Sequence, residues 1–363
     1  MTRAAAPDPS ASDPSASGPV RRAFQARRRR LEARAAMVTA IRHYFAAEGF
    51  VEVETPALQP VPGGEVHVRP FATTLEEPFG QSERTMFLHT SPEFAMKTLL
   101  AGGMDRIFQL AHAYRNGERS PLHHPEFTML EWYRAKAGWR DVAADCRAIV
   151  AAACAVVPVD LRADPGDTAG IVWNGRRCDP GAKWEFLSFS DAFLRYTGID
   201  ILATDADAGR LRSVAGQAGH RLPDQGSWED LVFHLLLDHI EPRLGSPVPT
   251  VLHDYPAAMA SLARLSPADP RVAERFEIYM GGVEVANGYG ELNDPTQQRA
   301  RFLADEAQRK ALYGRSLPLD EAFLAALAEM PPAAGVALGF DRLVMLLTGA
   351  RRVEDVLWAA IPT

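Results

Sequence analysis

The sequence predicts an α+β domain: an antiparallel sheet flanked by helices. Two observations carry that expectation. Two strand pairs read as hairpins, one across residues 106–134 around an eleven-residue polar loop and one across 275–289 around Gly281-Gly282. Helical patterns interrupt runs of strands and do not alternate with them one for one, as a doubly wound parallel sheet would need.

Taken in order, residues 1–20 are rich in Ala, Pro and Ser and nearly devoid of large apolar groups. They predict a disordered tail over 1–24 ahead of one domain over 25–363. A helix is expected over 25–48, where Leu31, Ala35, Val38, Ile41 and Phe45 recur at helical spacing and Gly49 closes the run. FVEVET at 50–55 alternates like a strand and Pro56 ends it. Ser91-Pro92-Glu93 reads as a helix start, with a hydroxyl cap, a first-turn Pro and a first-turn acid. Strands over 106–115 and 127–134 flank the long loop, and helices follow over 138–155 and 229–241. Residues 162–186, rich in Gly, Asp and Pro, form an excursion between those helices. Residues 335–349 read as strand, tight turn and apolar helix.

Hydrophobic residues make up 47% of the chain and charged residues 23%, which suits a soluble domain with a large core. No apolar run approaches the ~18 residues that span a bilayer and no secretory signal precedes the first helix, so a cytoplasmic protein with no membrane partner is expected. Cys146, Cys154 and Cys178 are too few and too irregular for a disulfide framework or a zinc site. Net charge is −7, although residues 21–34 hold seven Arg against one Glu. The rest of the chain is therefore acidic, a poor platform for a polyanion. The arginine run either meets an acidic partner or RNA, or is a solvated helix face.

The loop after the first hairpin strand is too long for a plain connection, which marks it as functional. Arg115 at its start can grip phosphate or carboxylate bidentately, and Phe127 at its end offers a flat base a ring. In the second hairpin a two-residue turn pairs Tyr279 with Glu284, and Glu277 shares their face. Two such carboxylates either straddle Mg²⁺ carrying substrate phosphates or form a solvent-facing pair on a wet sheet. Beyond them Glu291 has the wrong parity for Glu284's face on a regular strand, and a bulge at Gly288 would restore it. Phe127, Met129, Glu131 and Tyr133 share a face, so Glu131 needs either a structural Arg or a bound cation. Glu93 either complements its helix dipole or faces a ligand. Arg342 is either an anion clamp at a helix start or the ion-pair partner of Asp341. No GxxxxGK[ST] loop, strand–GxGxxG–helix unit or GxSxG elbow is present, so a nucleotide here is held by arginines, an aromatic ring and acid-bound metal.

Four segments in order carry a resemblance: 49–58 (GFVEVETPAL), 114–133 (YRNGERSPLHHPEFTMLEWY), 275–294 (RFEIYMGGVEVANGYGELND) and 335–347 (GVALGFDRLVMLL). Together they resemble the catalytic domain of class II aminoacyl-tRNA synthetases of the lysine type. The resemblance implies that family's antiparallel sheet, use of ATP and Mg²⁺, and a homodimer built through the first segment. It assigns Arg115 to the α-phosphate and substrate carboxylate, Phe127 to adenine, Arg342 to the γ-phosphate, and Asn116, Glu118 and His123 to the same ATP. Glu277 and Glu284 would hold Mg²⁺. For the amino acid it assigns Glu93 to the α- or β-amino group, Asn287 to the carboxylate, and Glu291 with Tyr133 to the terminal ammonium. Ser91, Glu131, Tyr289 and Ala337 complete that pocket.

No anticodon-binding barrel precedes the first segment, and Ala337 stands where the tRNA enzymes carry Gly. In both respects the chain resembles the short paralogues that ligate β-lysine to elongation factor P. The implied activity is a ligase that forms a β-lysyl-adenylate and passes it to a protein lysine, with no tRNA. One methyl in a tight pocket is worth about 1–3 kcal/mol, so α-lysine is the disfavoured isomer. The rival readings are a truncated lysyl-tRNA synthetase, an ammonia-dependent asparagine synthetase relative and a non-catalytic regulatory module. Two positions depart from the family pattern: Gly117 replaces the first Glu of Arg-Asn-Glu-Glu, leaving Glu118, and His124 replaces the Asn before Pro125.

Overall fold

The computed structural model describes residues 18–80, 82–162 and 170–361, so most of the expected tail and part of the 162–186 excursion lie outside the described residues. Helix α1 (Pro19–Ala47) begins ahead of the expected start at Gln25. Pro19 suits a first turn, where its missing N–H costs nothing, and the arginines after it are good helix formers. Its buried stripe is Leu31, Arg34, Met37, Ile41 and Phe45. Ala35 is exposed instead.

Two short strands, β1 (Val51–Glu52) and β2 (Leu58–Gln59), precede the hairpin of β3 (Phe71–Glu76) and β4 (Glu83–Leu88). Helix α2 (Glu93–Ala101) leads to the long hairpin of β5 (Arg106–Tyr114) and β6 (Glu126–Ala135), then to α3 (Trp139–Val156). Next come β7 (Ile171–Trp173), β8 (Arg176–Cys178) and β9 (Glu185–Ser188), with helices α4 (Phe189–Thr197), α5 (Ala208–Gln217) and α6 (Trp228–Leu235). Strands β10 (Thr250–Pro256), β11 (Val272–Met280) and β12 (Val283–Gly290) form a meander. Helices α7 (Pro295–Tyr313) and α8 (Glu321–Leu327) return the chain to β13 (Ala333–Gly339), which runs directly into α9 (Phe340–Leu347).

The main sheet has the strand order β1-β5-β6-β13-β12-β11-β10-β9. Its six central strands are antiparallel, as expected, while the edges β1 and β9 pair parallel to β5 and β10. The last strand fits between the two hairpins and joins them. Ala337 of β13 pairs with Glu131 of β6 on one side and Asn287 of β12 on the other.

Side chains alternate across the sheet, so its two faces have different chemistry. Leu130, Trp132, Phe276, Ile278, Val336 and Leu338 face α1, α3 and α9 in one continuous core. Phe45 of α1 stacks on Phe108 there with ring centroids 4.2 Å apart. The opposite face carries Glu131, Tyr133, Glu277, Asn287 and Glu291. A second apolar cluster lies beyond β10, where α4 and α6 pack on Leu252 and Tyr255. Among the described residues no helix is long and apolar enough to cross a membrane.

One buried ion pair ties the first helix to the last. Arg34 of α1 pairs with Asp341 of α9, donates from Nη2 to Thr128 Oγ1 at 2.8 Å, and lies 4.8 Å from the Phe340 ring. Asp341 also accepts from the Thr128 amide at 2.8 Å. Asp341 is therefore not the partner of Arg342: helical geometry turns consecutive side chains apart, and Arg342 is left facing the other way. Removing one member of a buried pair strands the other charge. Arg34→Leu is expected to destabilise the fold by about 3–5 kcal/mol, read from denaturant midpoints at unchanged slope. A loss below about 1 kcal/mol would show that the pair does not hold these helices.

Candidate active site

The polar face of the sheet floors a cavity of ≈ 310 Å³, within the usual range for a small-molecule site. Arg115, Glu118, His123 and Phe127 reach it from the β5–β6 loop and the start of β6. Glu277 enters from β11, Glu284, Asn287 and Tyr289 from β12, Ala337 from β13 and Arg342 from α9. Ser91 and Glu93, at the head of α2, close one end. Asn116 is not on the wall; its backbone N–H donates to Arg69 O at 2.7 Å. Glu131, Tyr133 and Glu291 sit just behind the wall, at 0%, 3% and 1% exposure.

The β11–β12 hairpin makes this convergence possible. Gly281 and Gly282 adopt φ of 62° and 80°, as a two-residue turn between right-twisted strands requires. Tyr279 pairs with Glu284 as expected, but the next pair is Ile278 with Ala286. Val285 is thus an extra residue in β12, and the bulge lies there and not at Gly288. Beyond it the parity is shifted, so Glu277 pairs with Asn287 and Arg275 with Tyr289. Glu284, Asn287, Tyr289 and Glu291 all end on the cavity side.

At one end of the cavity the groups suit an anion. Arg115 lies 5.3 Å over the Phe127 ring. Arg342 donates to Glu284 O at 2.8 Å and to His123 Nε2 at 2.7 Å. Burial, with Arg342 and Arg115 close by, pushes His123 down to about 4, so the ring is neutral at pH 7 and can accept that bond. Its proton then sits on Nδ1, 2.8 Å from Ser120 Oγ.

Glu277 is well partnered: Oε1 accepts from Arg275 at 2.8 Å and Oε2 from Tyr279 OH at 2.7 Å. Glu284 keeps 37% of its side chain open to the cavity, yet burial of the recess and the nearby Glu277 push its carboxyl up. Burial, with Glu277 and Glu284 beside it, also pushes Glu241 up to about 7. Asn287 Oδ1 is buried and has no hydrogen-bond partner among the described residues. Among the described residues no cluster of three acids or histidines is arranged to hold a metal ion. The carboxylate oxygens of Glu284 and Glu277 are nonetheless of the kind Mg²⁺ takes, one or two at a time, when phosphate supplies its other positions.

At the other end the groups suit an amine. Ser91 Oγ accepts from the Glu93 amide at 3.0 Å and donates to Glu131 Oε1 at 2.5 Å. Tyr133 OH donates to Glu131 Oε2 at 3.0 Å. Among the described residues Glu131 is met by these two hydroxyls and by no arginine. Burial and the adjacent Glu93 push it up to about 8, and burial pushes Glu291 up to about 7. Gly335 makes room for both neighbours: a Cβ there would meet the Tyr133 ring at 2.2 Å and Glu291 Oε1 at 2.7 Å.

Three neighbours escaped the sequence reading. Arg275 shares the face of Glu277 by simple alternation, a signal that was available. Lys97 follows Glu93 by four residues, a spacing that usually marks a surface pair. Glu241 closes the run expected as a helix over 229–241; α6 ends at Leu235 and wider and tighter turns follow, and nothing in the helical pattern pointed Glu241 at the cavity.

Comparison with known proteins gives the site a context. The family described as tRNA synthetases class II (D, K and N) matches residues 21–359. The elongation factor P–(R)-β-lysine ligase of Proteus mirabilis is 39% identical over 327 residues, covering 89% of this chain and 92% of that protein. The protein of the same name from Haemophilus influenzae (strain PittGG) is 37% identical over 329 residues, with 90% and 94% covered. That of Sodalis glossinidius is 38% identical over 334 residues, again with 90% and 94% covered.

An amine lodged against Glu131 favours the ionised carboxylate. With Glu131 near 8, binding of such a ligand at pH 7 is expected to release a proton, and binding at pH 9 is not. Calorimetry in two buffers of unlike ionisation enthalpy reads this directly. Equal heats in both buffers at pH 7 would mean that the amine does not reach Glu131.

Proposed function

The chain belongs to the class II tRNA synthetase family of the D, K and N type, and from that premise we propose that it activates (R)-β-lysine with ATP and joins it to a lysine side chain of elongation factor P. The observation that carries this reading is one cavity with an arginine pair at one end and buried carboxyls at the other. Such a cavity fits an anionic nucleotide and an amine-bearing amino acid end to end. The same-named relatives, matched over most of their length, support the choice of substrate and acceptor.

In the first step a carboxylate oxygen of β-lysine attacks the α-phosphorus of ATP. A new O–P bond forms, the bond to pyrophosphate breaks, and an aminoacyl-adenylate remains. Arg115 and Arg342 neutralise charge on the phosphates, and neutral His123 steadies Arg342. Phe127 stacks on adenine, with Asn116 and Glu118 in the same loop. No protein nucleophile is required, because positioning and charge neutralisation supply the catalysis. Glu284, with Glu277, would hold Mg²⁺, which offsets phosphate charge when bound.

On the amino-acid side, Glu93 and Asn287 take the amino and carboxylate groups of the substrate. Glu291, Tyr133 and Glu131 serve its terminal ammonium, and Ser91, Tyr289 and Ala337 shape the pocket. In the second step the neutral ε-amine of the acceptor lysine attacks the adenylate carbonyl. An amide bond forms, the amine gives up a proton, and AMP leaves. A homodimer through residues 49–58, a cytoplasmic location and independence from tRNA belong to the same proposal.

ATP–pyrophosphate exchange with β-lysine, α-lysine and aspartate in parallel tests the reading. Exchange is expected to be best with β-lysine and absent with aspartate; α-lysine far ahead of β-lysine would overturn the substrate assignment. Glu284→Gln is expected to lower exchange by about 100-fold or more while the melting temperature holds. Unchanged exchange would remove Glu284 from the site.

A further inference from the structure

The ammonium of Lys97 has no part in the roles above, yet it is one of the most thoroughly enclosed charges in the molecule. Its side chain is 1% exposed, on α2 beside Met96 and Leu100, which are both fully buried. Nζ lies 2.6 Å from Glu93 Oε1 and 2.5 Å from Glu291 Oε2. It thus joins acids from two separate elements, the head of α2 and the segment just after β12. An apolar residue would fill this space without taking a charge out of water. Packing does not call for an ammonium here; the two acids do.

We propose that Lys97 is a positioning residue for substrate selection: its ammonium touches both Glu93 and Glu291, offsets their mutual repulsion and aims them, so the pocket presents negative charge to the amine of the incoming amino acid. This rests on the reading of the cavity as a site for an amine-bearing amino acid.

The charged and titratable groups facing one another here are Glu93 and Lys97 from α2, Glu131 and Tyr133 from β6, Glu291 after β12, and Arg264 near Glu291. Burial lowers the Lys97 ammonium, but Glu291 and Glu93 outweigh that and hold it charged. Burial already pushes Glu131 up to about 8 and Glu291 up to about 7 with Lys97 in place. The margin is thin. Without Lys97 the Glu291 carboxyl, already near 7, takes up a proton at neutral pH, and the pocket loses charge that attracts an amine.

The test is steady-state ATP–pyrophosphate exchange with β-lysine across pH 6.5–9.5 for wild type, Lys97→Met and Lys97→Gln. Absence of exchange in the wild type would sink the parent reading and leave nothing for Lys97 to select. Given wild-type activity, both variants are expected to raise KM for the amino acid at pH 7 about tenfold or more, with KM for ATP unchanged and kcat within about threefold. That KM should recover as pH rises and the acids ionise. Gln can hydrogen-bond both acids without charge, so it keeps the test open where Met fails to fold. A Gln variant with wild-type KM and pH profile would overturn the proposal. So would a loss confined to kcat at every pH, the mark of a merely structural role.

Discussion

At Val285 strand β12 carries one residue that β11 leaves unpaired, and the cavity face of the sheet depends on it. Strand side chains alternate strictly, so a residue count fixes which face each one meets. Without the extra residue, Glu284 and Glu291 would point to opposite sides. With it, Glu284, Asn287, Tyr289 and Glu291 line up behind one another. Glu277 and Arg275 face the same way from β11. A bulge costs a ladder hydrogen bond and bends the strand, and here it brings the anion end and the amine end of the cavity onto one strand.

The two ends then separate by dielectric environment. Arg115, Arg342 and the open side of Glu284 lie in a recess that water and phosphate can enter. Glu131, Glu291 and Lys97 lie behind the wall, where an unpaired charge is expensive and every carboxyl oxygen seeks a donor. The buried Arg34–Asp341 pair underpins the first end from below. It holds α9 against α1 and β6, which leaves Arg342 to face the cavity. Gly335 underpins the second by leaving room for the Tyr133 ring.

Much of this was legible in the sequence because it is local. The Gly281-Gly282 turn fixes its own type, and the turn fixes the pairing of Tyr279 with Glu284. The long loop after Arg115 marked itself by length. Long-range partners were not legible. Nothing around Asp341 announces Arg34, some three hundred positions earlier, so the neighbouring Arg342 looked like its natural mate. Lys97 drew no reading at all, since its spacing from Glu93 carries no information about burial. In the sequence a glycine, Gly288, is the place where a bulge would restore the parity of Glu291, because backbone freedom is greatest there. The bulge lies instead at Val285, where β12 gains a residue on β11 soon after the turn. Strand β1 falls inside the run expected over 50–55, but its parallel pairing was not legible, and β9 was missed because a four-residue strand leaves almost no pattern.

A crystal structure with a non-hydrolysable sulfamoyl analogue of β-lysyl-adenylate tests the central claim most directly. The account predicts one ligand that spans the bulge: adenine on Phe127, its phosphate mimic at Arg115 and beside Glu284, and its amino-acid portion on Asn287 with the amine toward Glu93 and Glu291. Ligand contacts confined to the Glu284 side of Val285, or density for the analogue outside this cavity, would contradict it.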